Sequence, residues 1–376
     1  MLLASDHLAV QEAVRAYVRA EIAPRAAEWD RTHHFPKEQL RGLAALGCYG
    51  VAVPAEWDGA GLDYLALSVV LEEIAAGDGA TSTVVSVNNC PVCSILMAFG
   101  SDEQKQRFLR PLARGDMLGA FCLTEPHVGS EAGGLRTTAA RVGDEYVLNG
   151  VKQFVTSGQN ADVAIVMAVT DKAAGKKGIS AFLVPTTTPG YTVARLEEKL
   201  GQHASDTAQI VFENCRVPAA NRLADEGMGL RIALSGLEGG RIGIASQAVG
   251  MARAAFEAAL AYSKERETFG QPIFQHQAIQ FRLAEMATQI EAARQLIRHA
   301  AALKDAARPC LKEAAMAKLF ASEMAERVCS AAIQVHGGYG YVSDFPVERI
   351  YRDVRVCQIY EGTSEVQKIL IGRALA

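Results

Sequence analysis

The apolar residues of this chain change their period twice, from helical to strand-like and back, which rules out an architecture with one kind of layer. Residues 5–116 read as helices punctuated by prolines and glycines. An amphipathic stretch runs from Leu8 to Ile22 and stops at Pro24, another precedes Gly47, and long ones lie around 62–76 and 80–99. From about Leu118 the texture becomes short β-rich runs at 119–123, 146–148, 151–156, 163–169, 179–185 and 208–212, separated by turn residues. After Gly227-Met228-Gly229 the helical period returns, with Ile279, Leu283, Met286, Ile290, Ala293 and Ile297 at spacings of three and four. Stretches at 230–266, 311–335 and 364–374 complete about four helices, a number that packs as a bundle. The pattern predicts an α+β multidomain chain. An N-terminal α-helical domain covers 1–117, a middle β-domain (barrel or sandwich) covers 118–224, and a C-terminal four-helix bundle covers 225–376. The length of 376 residues agrees, because single cores stop growing beyond about 250–300 residues.

Charge and cysteine usage narrow the function. A net charge of −4 gives no basic field for a nucleic-acid backbone, so nucleic acid is not an expected partner. The longest apolar runs, such as 163–169, fall short of the ~18 residues of a spanning helix, which predicts a soluble chain without a membrane span. Asp6 and Glu12 stand near the start with no basic leader before an apolar block, so no export signal and a cytoplasmic, bacterial location are expected. Eight cysteines among apolar neighbours read as reduced, buried thiols. Cys90-Pro91-Val92-Cys93 has the spacing of a redox pair or half a zinc site, but no second pair completes a tetrahedral set and no βαβ pattern surrounds it. Helix packing is the better reading. His33-His34 reads as a solvated pair, and no metal site is expected. Dinucleotide, P-loop, zincin and hydrolase signatures do not occur.

Four segments carry the chemistry: FCLTEPHVGS at 121–130, RETFG at 266–270, QVHGGYG at 334–340 and IYEGTSEVQ at 359–367. With EKLG at 198–201, VFENCRVP at 211–218 and YRD at 351–353, they resemble the acyl-CoA dehydrogenase family, in order and along essentially the whole chain. The resemblance implies an enzyme with FAD, an acyl-CoA substrate and a homotetramer built as a dimer of dimers, with electrons passing to an electron-transfer flavoprotein. It is closest to short-chain and short-branched-chain members, through Ser86-Val87-Asn88-Asn89 and Arg241-Ile242-Gly243-Ile244.

Residue by residue, the resemblance implies that Phe121, Leu123 and Thr124 form a strand whose backbone and threonine bond the flavin ring, with Phe154 and Thr156 also against the ring. Ser130 would lie near the CoA arm and the cofactor. Arg266, Thr268 and Phe269 would bind the pyrophosphate of the neighbouring subunit's FAD, with Gln277, Gln334, Gly337 and Gly338 at its adenosine end. Thr363 and Glu365 complete the implied cofactor set. Arginine suits phosphate by its planar donor fork, and glycines admit close backbone approach. Taken alone, the glycine motif also reads as a tight turn between helices. Glu238, Arg241, Tyr360 and Gly362 are the implied substrate contacts. The spacing of Glu238 and Arg241 equally suits an intrahelical charge pair.

Glu361 matches the family's catalytic base, which removes the α-proton of a thioester while FAD takes the β-hydride. Such a hydrogen is a weak acid, so the base must be placed, desolvated and assisted by donors at the forming enolate oxygen. Apolar Ile359 and Tyr360 precede it and Gly362 leaves room beside it. Some relatives keep their base just before the arginine of the LEGGR helix, where this chain has Gly240, and both positions are expected to face one carbon. His127, Glu131 and Phe154 depart from the glycine, aspartate and tryptophan common at those positions. Two other readings remain at this stage, an oxidase or eliminating relative and a non-catalytic helical assembly protein.

Overall fold

The computed structural model describes residues 3–376. Its first third is helical: α1 Ser5–Tyr17, α2 Ala26–Thr32, α3 Lys37–Ala45, α4 Tyr64–Gly77, α5 Gly79–Val87, α6 Ser94–Phe99, α7 Asp102–Gln104 and α8 Arg110–Arg114. Local chemistry sets the ends. The Asp63 carboxylate accepts the Ala66 N–H at 2.7 Å to start α4, and Asp78 does the same for Thr81 to start α5. Gly115 closes α8 in the left-handed conformation before the first strand. Residues 80–99, expected as one helix, are broken at Cys90, whose φ of −137° and ψ of 118° follow from the proline after it.

By length and composition Gly79–Phe99 is apolar enough to cross a membrane, which corrects the expectation that no stretch reaches that length. Its small polar residues had masked the run, and 78% of its most apolar window is buried inside the protein. All eight cysteines are free and buried. Cys90 Sγ lies 3.7 Å from the Tyr64 hydroxyl and Cys93 Sγ lies 3.9 Å from the Tyr49 carbonyl, so these two sulfurs serve packing.

The middle region holds β1 Gly119–Cys122, β2 Thr138–Val142, β3 Glu145–Thr156, β4 Val163–Val169, β5 Ile179–Pro185, β6 Tyr191–Leu196, β7 Thr207–Pro218 and β8 Arg222–Leu223. They form one sheet in the order β6-β7-β3-β2-β4-β5-β8, with β1 parallel to β4. The runs at 146–148 and 151–156 are one strand, with register shifts between Leu148 and Gly150 and between Lys152 and Val155. β2 and β6 escaped the sequence reading because most of their side chains face water. In β4 the alternation is complete on both faces. Ala164, Val166 and Ala168 join the interior of the sheet, while Val163, Ile165 and Met167 pack on helices. Tyr146 of β3 and Phe182 of β5 meet with ring centroids 4.9 Å apart although two strands separate them, so the sheet curls over its own core.

The last region begins with α9 Gly229–Glu265, a 37-residue spine. A two-stranded hairpin of β9 Glu267–Thr268 and β10 Gln271–Pro272 follows, then α10 Gln277–Asp305, α11 Leu311–His336, α12 Val347–Val354 and α13 Ser364–Leu375. The helical stripe of α10 is buried as its spacing predicts, at Leu283, Met286, Ile290, Ala293 and Ile297. α12, unread in the sequence, is a short helix rich in charge. The bundle core also takes Leu65 and Ala75 from α4, so the N-terminal helices and the bundle share one apolar interior. Arg15, Arg253 and Gln11 converge on the buried Glu73 across the same junction.

Candidate active site

Between α12 and α13 the chain makes a 3-10 turn, then places Glu361 at φ 51° and Gly362 at φ 95°, before Thr363 caps α13 by accepting the Val366 N–H at 3.4 Å. A non-glycine residue in the left-handed region is strained unless its surroundings enforce it. Two fully buried side chains do so here. Lys318 Nζ donates to the Gly362 carbonyl at 2.7 Å, and Gln367 Nε2 donates to the same oxygen at 2.8 Å and to the Glu361 carbonyl at 3.3 Å. A Cβ on residue 362 would come within 2.7 Å of Gln367 Nε2, so the turn admits glycine there for reasons of space as well as torsion.

The carboxylate of Glu361 is withdrawn from solvent, and neither oxygen has a hydrogen-bond partner. It rests in a notch on α9 that exists because residue 240 has no side chain. A Cβ at Gly240 would lie 1.9 Å from Oε2 and 3.0 Å from Oε1. The two positions expected to face one carbon are therefore in contact. Next to the notch, a Cβ on Gly239 would stand 3.0 Å from Cys90 Sγ and 3.1 Å from the Tyr64 ring, so the N-terminal helices close that side.

Burial pushes the Glu361 carboxyl up to about 7, with Arg241 and then Lys318 opposing it. Arg241 is itself buried, its Nε and Nη1 lack partners, and burial holds its guanidinium below the usual range. Burial brings the Lys318 ammonium down to about 8. A carboxyl near neutrality with free lone pairs is suited to accept a proton, and the unpaired guanidinium N–H groups are suited to a polar ligand.

Tyr360 turns away from this notch into a buried polar chain. Its hydroxyl donates to Gln247 Oε1 at 2.5 Å, and Gln247 donates to the Gly79 carbonyl at 2.7 Å and to Thr83. Thr83 donates to Gln202 Oε1 at 2.6 Å, and Gln202 bonds the backbone carbonyl and carboxylate of Asp353. Helices α5, α9 and α12 and a loop after β6 are thus tied beneath the base.

The flanking residues fall into two groups. Lys152 Nζ donates to the Leu123 carbonyl at 3.1 Å and the Gln153 N–H to the Thr124 carbonyl at 2.8 Å, so the strand end with Phe121, Leu123 and Thr124 lies against the β3 segment with Phe154 and Thr156. Phe154 has φ 56° and is 63% exposed, a large apolar ring held out of the sheet. Ser130 is in an exposed loop just beyond, and His127 Nε2 stands 3.6 Å from Glu125.

The second group collects at the far end of the bundle. The Tyr262 ring stacks on His336 at 4.4 Å, bringing the hairpin with Arg266, Thr268 and Phe269 toward the turn with Gly337 and Gly338. Thr268 Oγ1 is 3.2 Å from His276 Nε2, beside Gln277 at the start of α10. Gln334 and Arg282 line a groove of about 440 Å³ with Tyr351. Phe269 is 97% exposed, and nothing stands within 4 Å of a Cβ at either Gly337 or Gly338. From Gly240 to Arg266 along α9 is 26 residues, about 39 Å at 1.5 Å per residue. The fold therefore does not bring the second group to the notch within a single chain.

Glu238 and Arg241 do not pair. Glu238 takes Lys304 Nζ at 3.1 Å and Cys310 Sγ at 3.4 Å, which removes the intrahelical reading. Glu365 lies exposed in the first turn of α13. Lys318 and Gln367 were not singled out from the sequence. Periodicity could have found the lysine, since it lies four residues after Ala314 and three before Ala321 on the buried face of α11.

Three family models match the chain: the acyl-CoA dehydrogenase N-terminal domain over residues 4–116, its middle domain over 120–215 and its C-terminal domain over 227–376. A short-chain specific acyl-CoA dehydrogenase, mitochondrial, from Rattus norvegicus is 47% identical over 369 residues, 98% of this chain and 90% of the relative. A chain in the structure of the electron transferring flavoprotein of Acidaminococcus fermentans superposes with TM-score 0.98 at 44% identity, over 100% of this chain and 99% of that one. Butyryl-CoA dehydrogenase from Megasphaera elsdenii gives 0.97 at 41%, over 100% and 99%. A glutaryl-CoA dehydrogenase from Mycobacterium smegmatis in complex with FADH2 gives 0.94 at 34%, over 100% and 95%.

Proposed function

Because the chain belongs to the acyl-CoA dehydrogenase family, a family of FAD-dependent oxidoreductases, we propose that it dehydrogenates a short or short-branched acyl-CoA to the 2,3-enoyl-CoA with Glu361 as the base. The observation that carries the reading is the Glu361 carboxylate, buried without a hydrogen-bond partner against the bare backbone of Gly240. A buried unsatisfied carboxylate costs stability, so its retention calls for a ligand that completes it.

The residues present fit FAD. Phe154 offers an uncovered ring beside the Thr124 backbone, while Phe269, Gly337 and Gly338 leave open surface for a long cofactor. We assign the ring end to Phe121, Leu123, Thr124, Phe154 and Thr156, with Ser130 beside the CoA arm and Thr363 and Glu365 at the loop edge. The phosphate and adenosine end goes to Arg266, Thr268, Phe269, Gln277, Gln334, Gly337 and Gly338 of a second copy, since about 39 Å of α9 separates them from the notch in one chain. The family resemblance adds that two such pairs assemble into a homotetramer, a dimer of dimers. When bound, FAD supplies the acceptor for the substrate's β-hydride.

The chain's own part is to place and dry the substrate's α-carbon. Glu361 takes the proton on a free carboxylate lone pair, and the family resemblance implies that its own backbone N–H donates to the thioester oxygen. Arg241, with unpaired guanidinium N–H groups, and Glu238 hold the substrate's CoA portion. Gly362 walls the acyl group, and Tyr360, whose hydroxyl is held by Gln247, backs that wall. Electrons pass to an electron-transfer flavoprotein, a reading supported by the Acidaminococcus superposition. Eight free thiols suit a reducing bacterial cytoplasm. Anaerobic titration of the yellow protein with a panel of acyl-CoAs tests the reading. The oxidised flavin band bleaches with short or short-branched chains, and a protein bleached by no acyl-CoA overturns it.

A further inference from the structure

We infer that Lys318 is a positioning residue for the base: from inside α11 it pins the Gly362 carbonyl, and with it the left-handed backbone that carries Glu361 into the notch at Gly240, while its positive charge favours the ionised carboxylate. The inference rests on the assignment of Glu361 as base.

A fully buried ammonium is expensive to place and ordinarily sits on a carboxylate. The other fully buried lysine does so, Lys152 holding Glu125 at 2.8 Å. Lys318 instead spends its hydrogen bond on a backbone oxygen that Gln367 already satisfies, one residue from the base. Hydrogen bonding alone does not require a charge at that point. The backbone gives the reason for a second donor, since Glu361 and Gly362 both lie at positive φ and the turn relaxes if its carbonyl is released.

The charged and titratable groups facing Glu361 are Arg241 from α9, Lys318 from α11 and the Cys90 thiol from the turn before α6. Those facing Lys318 are Cys357, Glu361, Arg241 and Glu365. Glu361 is thus held between two cations that neither hydrogen-bond it nor compete for its lone pairs. With burial bringing it only to about 8, Lys318 keeps its proton at neutral pH.

The test is stopped-flow flavin reduction by saturating short-chain acyl-CoA against pH, in the FAD-loaded oligomer, with flavin content and acyl-CoA affinity measured alongside. Lys318→Met removes donor and charge together. It is expected to bind FAD and substrate within a few-fold of wild type, yet to reduce flavin about 10²-fold more slowly, the loss that follows from about 1 Å of misplacement. Its acid limb moves up by about one pH unit, because a neighbouring positive charge no longer favours the carboxylate.

Lys318→Gln keeps a donor without the charge. Its limb moves as far, but its rate above the limb returns toward wild type, a split that a merely structural lysine does not produce. Wild-type rates and limbs in both variants overturn the inference, as does a loss that only tracks flavin content or substrate affinity. Failure of both variants to fold also overturns it, making the lysine a folding residue. Glu361→Gln is measured in parallel. If it stays active, the assignment of the base has failed; if it is dead while both Lys318 variants behave as wild type, only the role of Lys318 has.

Discussion

Two buried glutamates in this molecule receive opposite treatment. Glu125, after β1, accepts Lys152 Nζ at 2.8 Å, the Arg136 N–H at 2.7 Å and the Thr137 N–H at 3.0 Å. Burial raises its carboxyl, but Lys152 and these donors outweigh burial and leave it below the usual range. Glu361, on the loop before α13, has two cations in its vicinity and no hydrogen bond to its carboxylate, so burial wins and its carboxyl rises to about 7. Both carboxylates are withdrawn from solvent. What differs is whether the fold supplies donors to the carboxylate itself or only to the backbone that carries it. A saturated carboxylate locks structure; an unsaturated one stays available to a proton.

The largest test removes each carboxylate. Glu361→Gln is expected to keep FAD and acyl-CoA binding but lose ~10²–10⁴-fold in turnover, the worth of a general base. Near-normal flavin bleaching in this variant breaks the comparison on its functional side. Glu125→Gln leaves the Lys152 charge buried without a counter-ion and should destabilise the fold by about 3–5 kcal/mol in denaturant unfolding. Adding Lys152→Met should restore part of that loss. A Glu125→Gln protein as stable as wild type would show that the pair is not a lock.

The notch gives a smaller effect. Gly240→Ala puts a methyl where Oε2 now sits, so the base must move, and flavin reduction should fall about 10²-fold while Gly372→Ala, in open space, changes nothing. In a Glu361→Gly background, Gly240→Glu should recover part of the lost rate in ferricenium-coupled turnover. A folded, flavin-loaded double variant no more active than Glu361→Gly would show that residue 240 does not face the reacting carbon.

The smallest effect lies in pH dependence, where the two glutamates have opposite signs. The reaction needs Glu361 ionised, so flavin reduction should rise about tenfold per pH unit below about 7 and level off above it. For stability, the folded Glu361 carboxyl lies above its ordinary 4.5, so its contribution is full below that value and is lost as pH rises through about 7. Glu361→Gln should therefore unfold at higher denaturant than wild type at pH 8, by at most about 3 kcal/mol. Glu125 is lowered, so its contribution is present above 4.5 and is lost as pH falls through its folded value. Equal pH slopes in the two variants would dissolve the distinction.

How much of this was legible varied with the kind of signal. The long helices were plain, because an apolar stripe such as that of α10 repeats over several turns. β2 and β6 were not, since mostly exposed strands have no apolar alternation to read. Glu361 stood out through its neighbours IYEGT, yet nothing in that string tells that both its oxygens lack partners. The partner of Glu238 cannot be read from spacing. Helical spacing names Arg241, whereas the carboxylate goes to Lys304, 66 positions away.

By itself the sequence determined the succession of helices, sheet and bundle, and it concentrated the chemistry in a few short motifs. Periodicity and turn residues act over neighbouring positions, so a linear string records them directly. The tertiary structure alone decided which buried carboxylate is quenched and which is left open, because that depends on donors from distant segments: Lys152 reaching Glu125, and Lys318 stopping at the Gly362 carbonyl. It also decided that Gly240 faces Glu361 across 121 positions of chain and that Arg266 lies far from both. Desolvation and electrostatic balance are properties of a packed neighbourhood, and a neighbourhood exists only once the chain has folded.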